Sequence, residues 1–131
     1  MKKIRRFFTA PLIGLSLLGL VIPAIAHHGY PQYNMGQRVP MQGTIITYRL
    51  GNPHSHMTVS VMNENGEEEV WAVETTWTLR GMRARGFTPN LLQAGDEVNL
   101  LVSPALNGDR TAVFQSIEFA DGRILPPPEN N

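Results

Sequence analysis

The chain of 131 residues is long enough for one domain with a modest core. Four of its basic residues lie in the first six positions, so the remainder carries seven arginines against eleven acidic residues, a net charge of about −4. This balance argues against nucleic-acid binding, whose affinity comes largely from Lys and Arg contacts to phosphates. Because the chain has no cysteine, disulfides and thiolate metal sites are excluded, and any metal must be held by His, carboxylate, Met or backbone groups.

Residues 1–26 have the three parts of a secretory signal peptide. A basic start is followed by an apolar run at residues 12–22 and by the small-residue cleavage motif Ala24-Ile25-Ala26. We therefore predict a bacterial protein that is periplasmic or secreted, with His27 as its first mature residue and no stable insertion in the membrane. Arg5-Arg6 also resembles a twin-arginine signal, so the export route stays open between the general and the twin-arginine pathways.

The mature chain is expected to begin with an irregular arm at residues 27–38 and to continue as a β domain at residues 39–125. Runs of β-branched residues, alternating apolar positions and turn residues predict five strands, at about 39–50, 56–61, 69–75, 98–102 and 111–119. Asn63-Glu64-Asn65-Gly66 predicts a hairpin between the second and third strands. The tail, residues 126–131, starts with three prolines and should be extended.

One short helix is predicted at residues 77–85, with Thr75 or Thr76 as its N-cap and Gly86 at its end. Five strands with a single helix between the third and the fourth are typical of a small barrel of the OB type. A β-sandwich would have about seven strands. The predicted fold is therefore mainly β, a five-stranded antiparallel OB-like barrel with one short helix.

All four histidines fall in two short clusters, His27-His28 at the predicted cleavage point and His54-x-His56 after the first strand. An N-terminal histidine offers its α-amine and an imidazole nitrogen to one ion, and copper(II) favours such nitrogen ligands. A nitrogen from His54, His56 or His28 would complete the T-shaped arrangement called a histidine brace. The arm is long enough to fold back onto His54, since an extended chain covers roughly 3.3 Å per residue. These four residues predict a copper ion as the cofactor.

Other interpretations of the same residues stay open. The two clusters can be a flexible terminus and ordinary loop residues, and the alternation of the second strand places His56 on its polar face. Zinc is the rival ion through His54-x-His56, although zinc usually takes at least three protein ligands. Glu74 is a further candidate ligand. Three methionines are candidate copper(I) ligands or, more commonly, core residues: Met35, Met41 and Met57.

Six short motifs occur in order along the chain: His27-His28-Gly29, Gly43-Thr44, Asn52-Pro53-His54-Ser55, Trp71-Ala72-Val73-Glu74, Gly95-Asp96-Glu97-Val98 and Asp121-Gly122-Arg123. Together they resemble a family of small exported bacterial proteins catalogued as a domain of unknown function, number 6152. The resemblance covers nearly the whole mature chain and implies an exported OB-like β-domain, without an activity, ligand or partner. His56 stands where members of this family often carry a bulky apolar residue, so the resemblance favours His27, His28 and His54 over His56 as ligands.

No catalytic motif is recognisable: the sequence lacks a nucleophile elbow, paired acid/base carboxylates and a Gly-rich phosphate loop. We therefore do not predict an enzyme. The first hypothesis is a periplasmic copper carrier, buffer or accessory protein. The second is a metal-free OB-like binding module for a protein partner or small ligand, and the third is an oxidative copper enzyme. The contacts expected of the second are Tyr30, Tyr33, Tyr48 and Trp77.

Overall fold

Residues 30–126 form six strands and one short helix in the computed structural model, which describes this part of the chain. In chain order the elements are β1 (Val39–Arg49), β2 (His56–Met62), β3 (Glu68–Glu74), α1 (Leu79–Ala84), β4 (Glu97–Pro104), β5 (Thr111–Glu118) and β6 (Ile124–Leu125). The predicted signal peptide, His27, His28 and residues 127–131 lie outside the described residues. Between residues 30 and 126, no helix is both long enough and apolar enough to span a bilayer.

Five strands close into a barrel in the order β1-β2-β3-β5-β4, and β4 returns to β1. The predicted OB-like barrel is therefore confirmed, and the short β6 extends the sheet beside β5. Four of the five pairs in the ring are antiparallel, whereas β3 and β5 pair in parallel through residues 72–74 and 111–113. The barrel is mixed rather than purely antiparallel because strand directions cannot alternate around a ring with an odd number of strands.

The long first strand bends so that its two halves pair with different neighbours. Residues 39–44 pair with β4, and residues 44–49 pair with β2. Gly43 lies at this change of partner, where a Cβ atom would meet the Ser60 carbonyl oxygen and lie 2.6 Å from Val59 Cγ1. Only a residue without a side chain lets β1 approach β2 this closely, so Gly43 allows the barrel to curl.

The barrel core follows the predicted strand phases except in β5. Alternation along the sequence predicts that Val98, Leu100 and Val102 of β4 share a face, and all three are buried. In β5 a bulge shifts the register, because Leu101 opposes Ser116 while Val102 opposes Phe114. Three residues of β5, Ala112, Phe114 and Ile117, therefore join the core cluster. Apolar residues in phase along the sequence predict a common inward face for Val113, Ile117 and Phe119. This prediction is wrong for Val113, since one extra residue reverses which side chains point inward.

The helix begins later than predicted. Its N-cap is Thr78, whose side-chain oxygen accepts a hydrogen bond from the Gly81 N–H. Thr75 cannot serve as the cap because it is fully buried and its hydroxyl donates to the Trp77 carbonyl. The helix is consequently only six residues long and closes one end of the core with Met82.

Candidate functional site

The described part of the arm, residues 30–38, lies against the outside of the barrel. The Asn34 N–H donates to the Pro104 carbonyl at 2.9 Å, and the Leu106 N–H donates to the Gln32 carbonyl at 2.8 Å. These two bonds flank an isolated antiparallel β-bridge between Tyr33 and Ala105, just after β4. The arm is irregular, as predicted, but it is tied to the barrel by its backbone.

Two residues on the outer face of the sheet, Ser103 and Val113, are fully buried. The Ser103 hydroxyl donates to the Gln37 carbonyl of the arm at 2.8 Å, and Ser103 is fully buried. Val113 lies directly opposite Ser103 in the β4–β5 register, so both side chains share this face. Val113 is also fully buried but does not belong to the main core cluster. The arm therefore contacts the outer face of the sheet at Ser103.

Two tyrosines of the arm contact the predicted site. The Tyr33 hydroxyl donates to Glu74 Oε1 at 2.7 Å. The Tyr30 hydroxyl lies 3.3 Å from His54 Nδ1 and donates to the Thr75 carbonyl at 3.4 Å. The rings of Tyr30 and His54 meet edge to face, with centroids 6.0 Å apart. The arm thus reaches the histidine loop at Tyr30, three residues after His27.

Each tyrosine keeps its proton at neutral pH. Burial raises the pKa of Tyr30, and the negative charge of Glu74 raises it further. Burial also raises the pKa of Tyr33, helped by its hydrogen bond to the Glu74 carboxylate. Both hydroxyls are therefore neutral hydrogen-bonding groups beside the histidine loop.

His54 and His56 are both exposed. His56 is the first residue of β2, and His54 lies two residues before it. In the register His56 stands between Arg49 on β1 and Glu74 on β3, so the three side chains share one face. The predicted polar orientation of His56 is confirmed. His54 lies in the loop just before the strand, next to Pro53. Both histidines border a shallow cavity of about 470 Å³, which is also lined by Glu74 and Tyr33.

Other residues considered from the sequence lie elsewhere. Met41 and Met57 are buried in the barrel core, so they serve as core residues, whereas Met35 is exposed on the arm. The Tyr48 hydroxyl donates to the Thr88 carbonyl, and Trp77 packs edge to face on Phe114. Within residues 30–126, no three His, Asp or Glu side chains are grouped so as to hold a metal ion.

A second, larger concavity lies between the first half of β1 and the β2–β3 hairpin. Its volume is about 730 Å³. Met41, Val61 and Trp71 supply apolar lining, while Glu68 and Glu97 add acidic groups. Neither His54 nor His56 lines this groove, so it is separate from the site at His54.

Comparison with known proteins shows what this chain is related to. Residues 15–115 match the family described as "Family of unknown function (DUF6152)". The chain belongs to this family. The family relationship indicated by the six sequence motifs is thus confirmed over most of the chain, and DUF6152 carries no described activity.

No curated protein matches this DUF6152 member. Among solved structures, it is similar to the mitochondrial single-stranded DNA binding protein Rim1 from S. cerevisiae. The two are 9% identical, with a TM-score of 0.48, and the similarity covers 64% of this chain and 93% of that chain.

The sequence did not reveal the pairing of the two arm tyrosines with His54 and Glu74. The sequence indicates Tyr30 and Tyr33 only as contacts of a metal-free module, whereas the structure places both beside the histidine loop. The tyrosines are three residues apart, and the spacing carries no signal for partners that are 24 and 41 residues away. Only the path of the arm brings them together.

Proposed function

We propose that this DUF6152 member is an exported metal-binding protein of the periplasm, acting as a copper carrier, buffer or accessory factor. The observation that supports this function is the docked arm, which brings Tyr30 to within 3.3 Å of His54 Nδ1. Cleavage after Ala26 would leave His27 as the terminal residue, three positions before Tyr30. Three residues of extended chain span roughly 10 Å, so the amine and ring of His27 fall within reach of His54.

The available donor atoms favour copper(II). The chain lacks cysteine, and Met41 and Met57 are buried in the core, so of the three methionines considered as copper(I) ligands Met35 alone is exposed. The terminal amine and the rings of His27 and His54 supply nitrogen donors, which suit copper(II) in a tetragonal plane. Zinc, the rival ion, normally takes four ligands in a tetrahedron.

The remaining candidates have supporting roles in this proposal. His28 follows His27 directly and would be an auxiliary ligand or a hydrogen-bonding neighbour. His56 borders the same cavity but faces Arg49 and Glu74 across the sheet, so we assign it an auxiliary role. The carboxylate of Glu74 accepts the Tyr33 hydroxyl, which fixes the arm near the site. Only His27 and His54 are assigned as essential ligands.

The copper site is tested with protein recovered after export without a histidine tag, its first residue established by N-terminal sequencing. We expect one copper(II) ion to bind per chain with sub-micromolar affinity. His54→Ala should weaken binding at least tenfold, whereas His56→Ala, the matched control at an exposed histidine two positions away, should weaken it less. Adding one alanine before His27 keeps all four rings but moves the amine, and should weaken binding as strongly as His54→Ala.

Equal, weak copper binding by the natural protein, His54→Ala and the extended protein would contradict the proposed copper site. It would favour the second candidate function, a metal-free module that holds a protein partner or small ligand. The groove of about 730 Å³ on the β1–β2–β3 face supports this alternative, because its lining includes apolar side chains and neither His54 nor His56. Metal analysis of the untagged protein taken from the periplasm would then find no stoichiometric copper or zinc.

A further inference from the structure

We propose that Tyr30 is a positioning residue that holds neutral His54 with its proton on Nδ1, leaving the lone pair of Nε2 free for a ligand. The Tyr30 oxygen lies 3.3 Å from His54 Nδ1 and 3.4 Å from the Thr75 carbonyl oxygen. The Tyr30 hydroxyl therefore lies within hydrogen-bonding distance of both His54 Nδ1 and the Thr75 carbonyl oxygen. The assignment of the proton follows from which of these partners can donate.

The Thr75 carbonyl can only accept a hydrogen bond. Thr75 is fully buried, and a buried backbone carbonyl without a donor is costly. Along residues 30–126, the donor that reaches this carbonyl is the Tyr30 hydroxyl. A phenol has a single proton, so once Tyr30 donates to Thr75 its oxygen can only accept from His54. His54 Nδ1 must then carry the hydrogen.

The contact with Tyr30 holds the orientation of the His54 ring as well as its tautomer. Its edge-to-face contact with Tyr30 has an interplanar angle of 79°, and Tyr30 itself packs on Tyr33 with ring centroids 6.0 Å apart. Nε2 is the ring nitrogen left without this partner. That Nε2 then binds the metal rests on the proposed function. In metal sites a partner on the second ring nitrogen fixes the tautomer and contributes roughly 10–100-fold to affinity.

The proton assignment is tested first in metal-free protein, by long-range ¹H–¹⁵N correlation spectra of the histidine rings at a pH about two units above the usual imidazole pKa of about 6.5. We expect His54 to be protonated on Nδ1. Tyr30→Phe should shift His54 toward the Nε2-protonated tautomer or a mixture. Tyr48→Phe, which removes a phenol bonded to the Thr88 carbonyl, should leave His54 unchanged.

The Asn34 amide resonance reports whether the arm stays docked in Tyr30→Phe, because that N–H bonds to the barrel. His54 protonated on Nε2 in the natural protein would overturn the assignment. A tautomer that is unchanged in Tyr30→Phe while the arm is still docked would overturn the role of Tyr30. If the arm undocks in Tyr30→Phe, the tautomer of His54 in the natural protein decides whether Nδ1 carries the proton.

Copper titration then separates this inference from the copper site. If both hold, Tyr30→Phe weakens copper binding about 10–100-fold. If the tautomer is as expected but His54→Ala does not change copper binding, the proposed copper site fails and the role of Tyr30 in orienting His54 stands. If His54→Ala abolishes binding and Tyr30→Phe has no effect on either tautomer or affinity, the copper site stands and the role of Tyr30 is refuted.

Discussion

Replacing Tyr33 with phenylalanine should loosen the arm without unfolding the barrel. The substitution removes the hydroxyl that donates to Glu74 Oε1 at 2.7 Å and keeps the aromatic ring. Hydrogen bonds to charged groups contribute about 1.5–3 kcal/mol. Because Tyr33 and Glu74 are only half-buried, we take the lower end, about 1.5 kcal/mol. A loss of this size raises the equilibrium constant for local opening of the arm about tenfold.

Native-state hydrogen exchange measures this opening directly. The amides of Asn34 and Leu106 form the bonds between arm and barrel, so their exchange should accelerate about tenfold in Tyr33→Phe. The amide of Leu100, inside β4, should keep its natural rate because the barrel is unchanged. Tyr48→Phe is the matched control, since its hydroxyl bonds elsewhere. Unchanged exchange at Asn34 would show that the Tyr33–Glu74 bond does not hold the arm.

Two further predictions concern the barrel. Gly43→Ala should lower the free energy of unfolding by about 2–3 kcal/mol and Tm by about 10–20 °C, because the added Cβ would overlap β2. Gly36→Ala is the control and should leave Tm unchanged, because its Cβ would lie 3.8 Å from the nearest atom. Equal Tm values for the two variants would refute the packing argument. Hydrogen bonds from Asn63 and Arg110 hold the pKa of Glu69 below its usual 4.5, so the stabilisation from this group is present above that pH and is lost as the pH falls. An NMR titration of the Glu69 carboxyl should show this low midpoint and its rise in Arg110→Gln, and a midpoint that does not move would exclude the arginine as a cause.

The strands could be predicted because their signals are local. The alternation at Met57 and Val59 fixed the inward face of β2 and the outward face of His56, and the turn before β3 fixed the hairpin. The bulge in β5 could not be predicted, since it depends on how Leu101 and Val102 of the partner strand pair. Phe114, one of the largest buried side chains, was therefore missed.

The candidate site was only partly visible in the sequence for the same reason. The clustering of His54 and His56 is a local pattern, and both residues border one cavity. Their partners from the arm are fixed by long-range contacts, such as the bond between Tyr33 and Glu74 across 41 positions. No pattern within a strand or turn encodes such a contact. The length of the arm predicted that it can fold back to His54. It did not indicate that Tyr30 would be the residue in contact.

The strand order explains why three distant parts of the chain meet beside His54. A barrel of five strands must contain a parallel pair, and here that pair joins residues 72–74 at the end of β3 to residues 111–113 at the start of β5. The antiparallel β2–β3 hairpin puts the start of β2 beside the end of β3, so the histidine loop lies next to this junction. The arm bridges to Ala105, just after β4, and the Ala105 N–H donates to the Thr111 carbonyl at the start of β5, so the arm passes the same place. The closure of the barrel therefore brings the histidine loop and Glu74 together, and the arm adds Tyr30 and Tyr33 beside them.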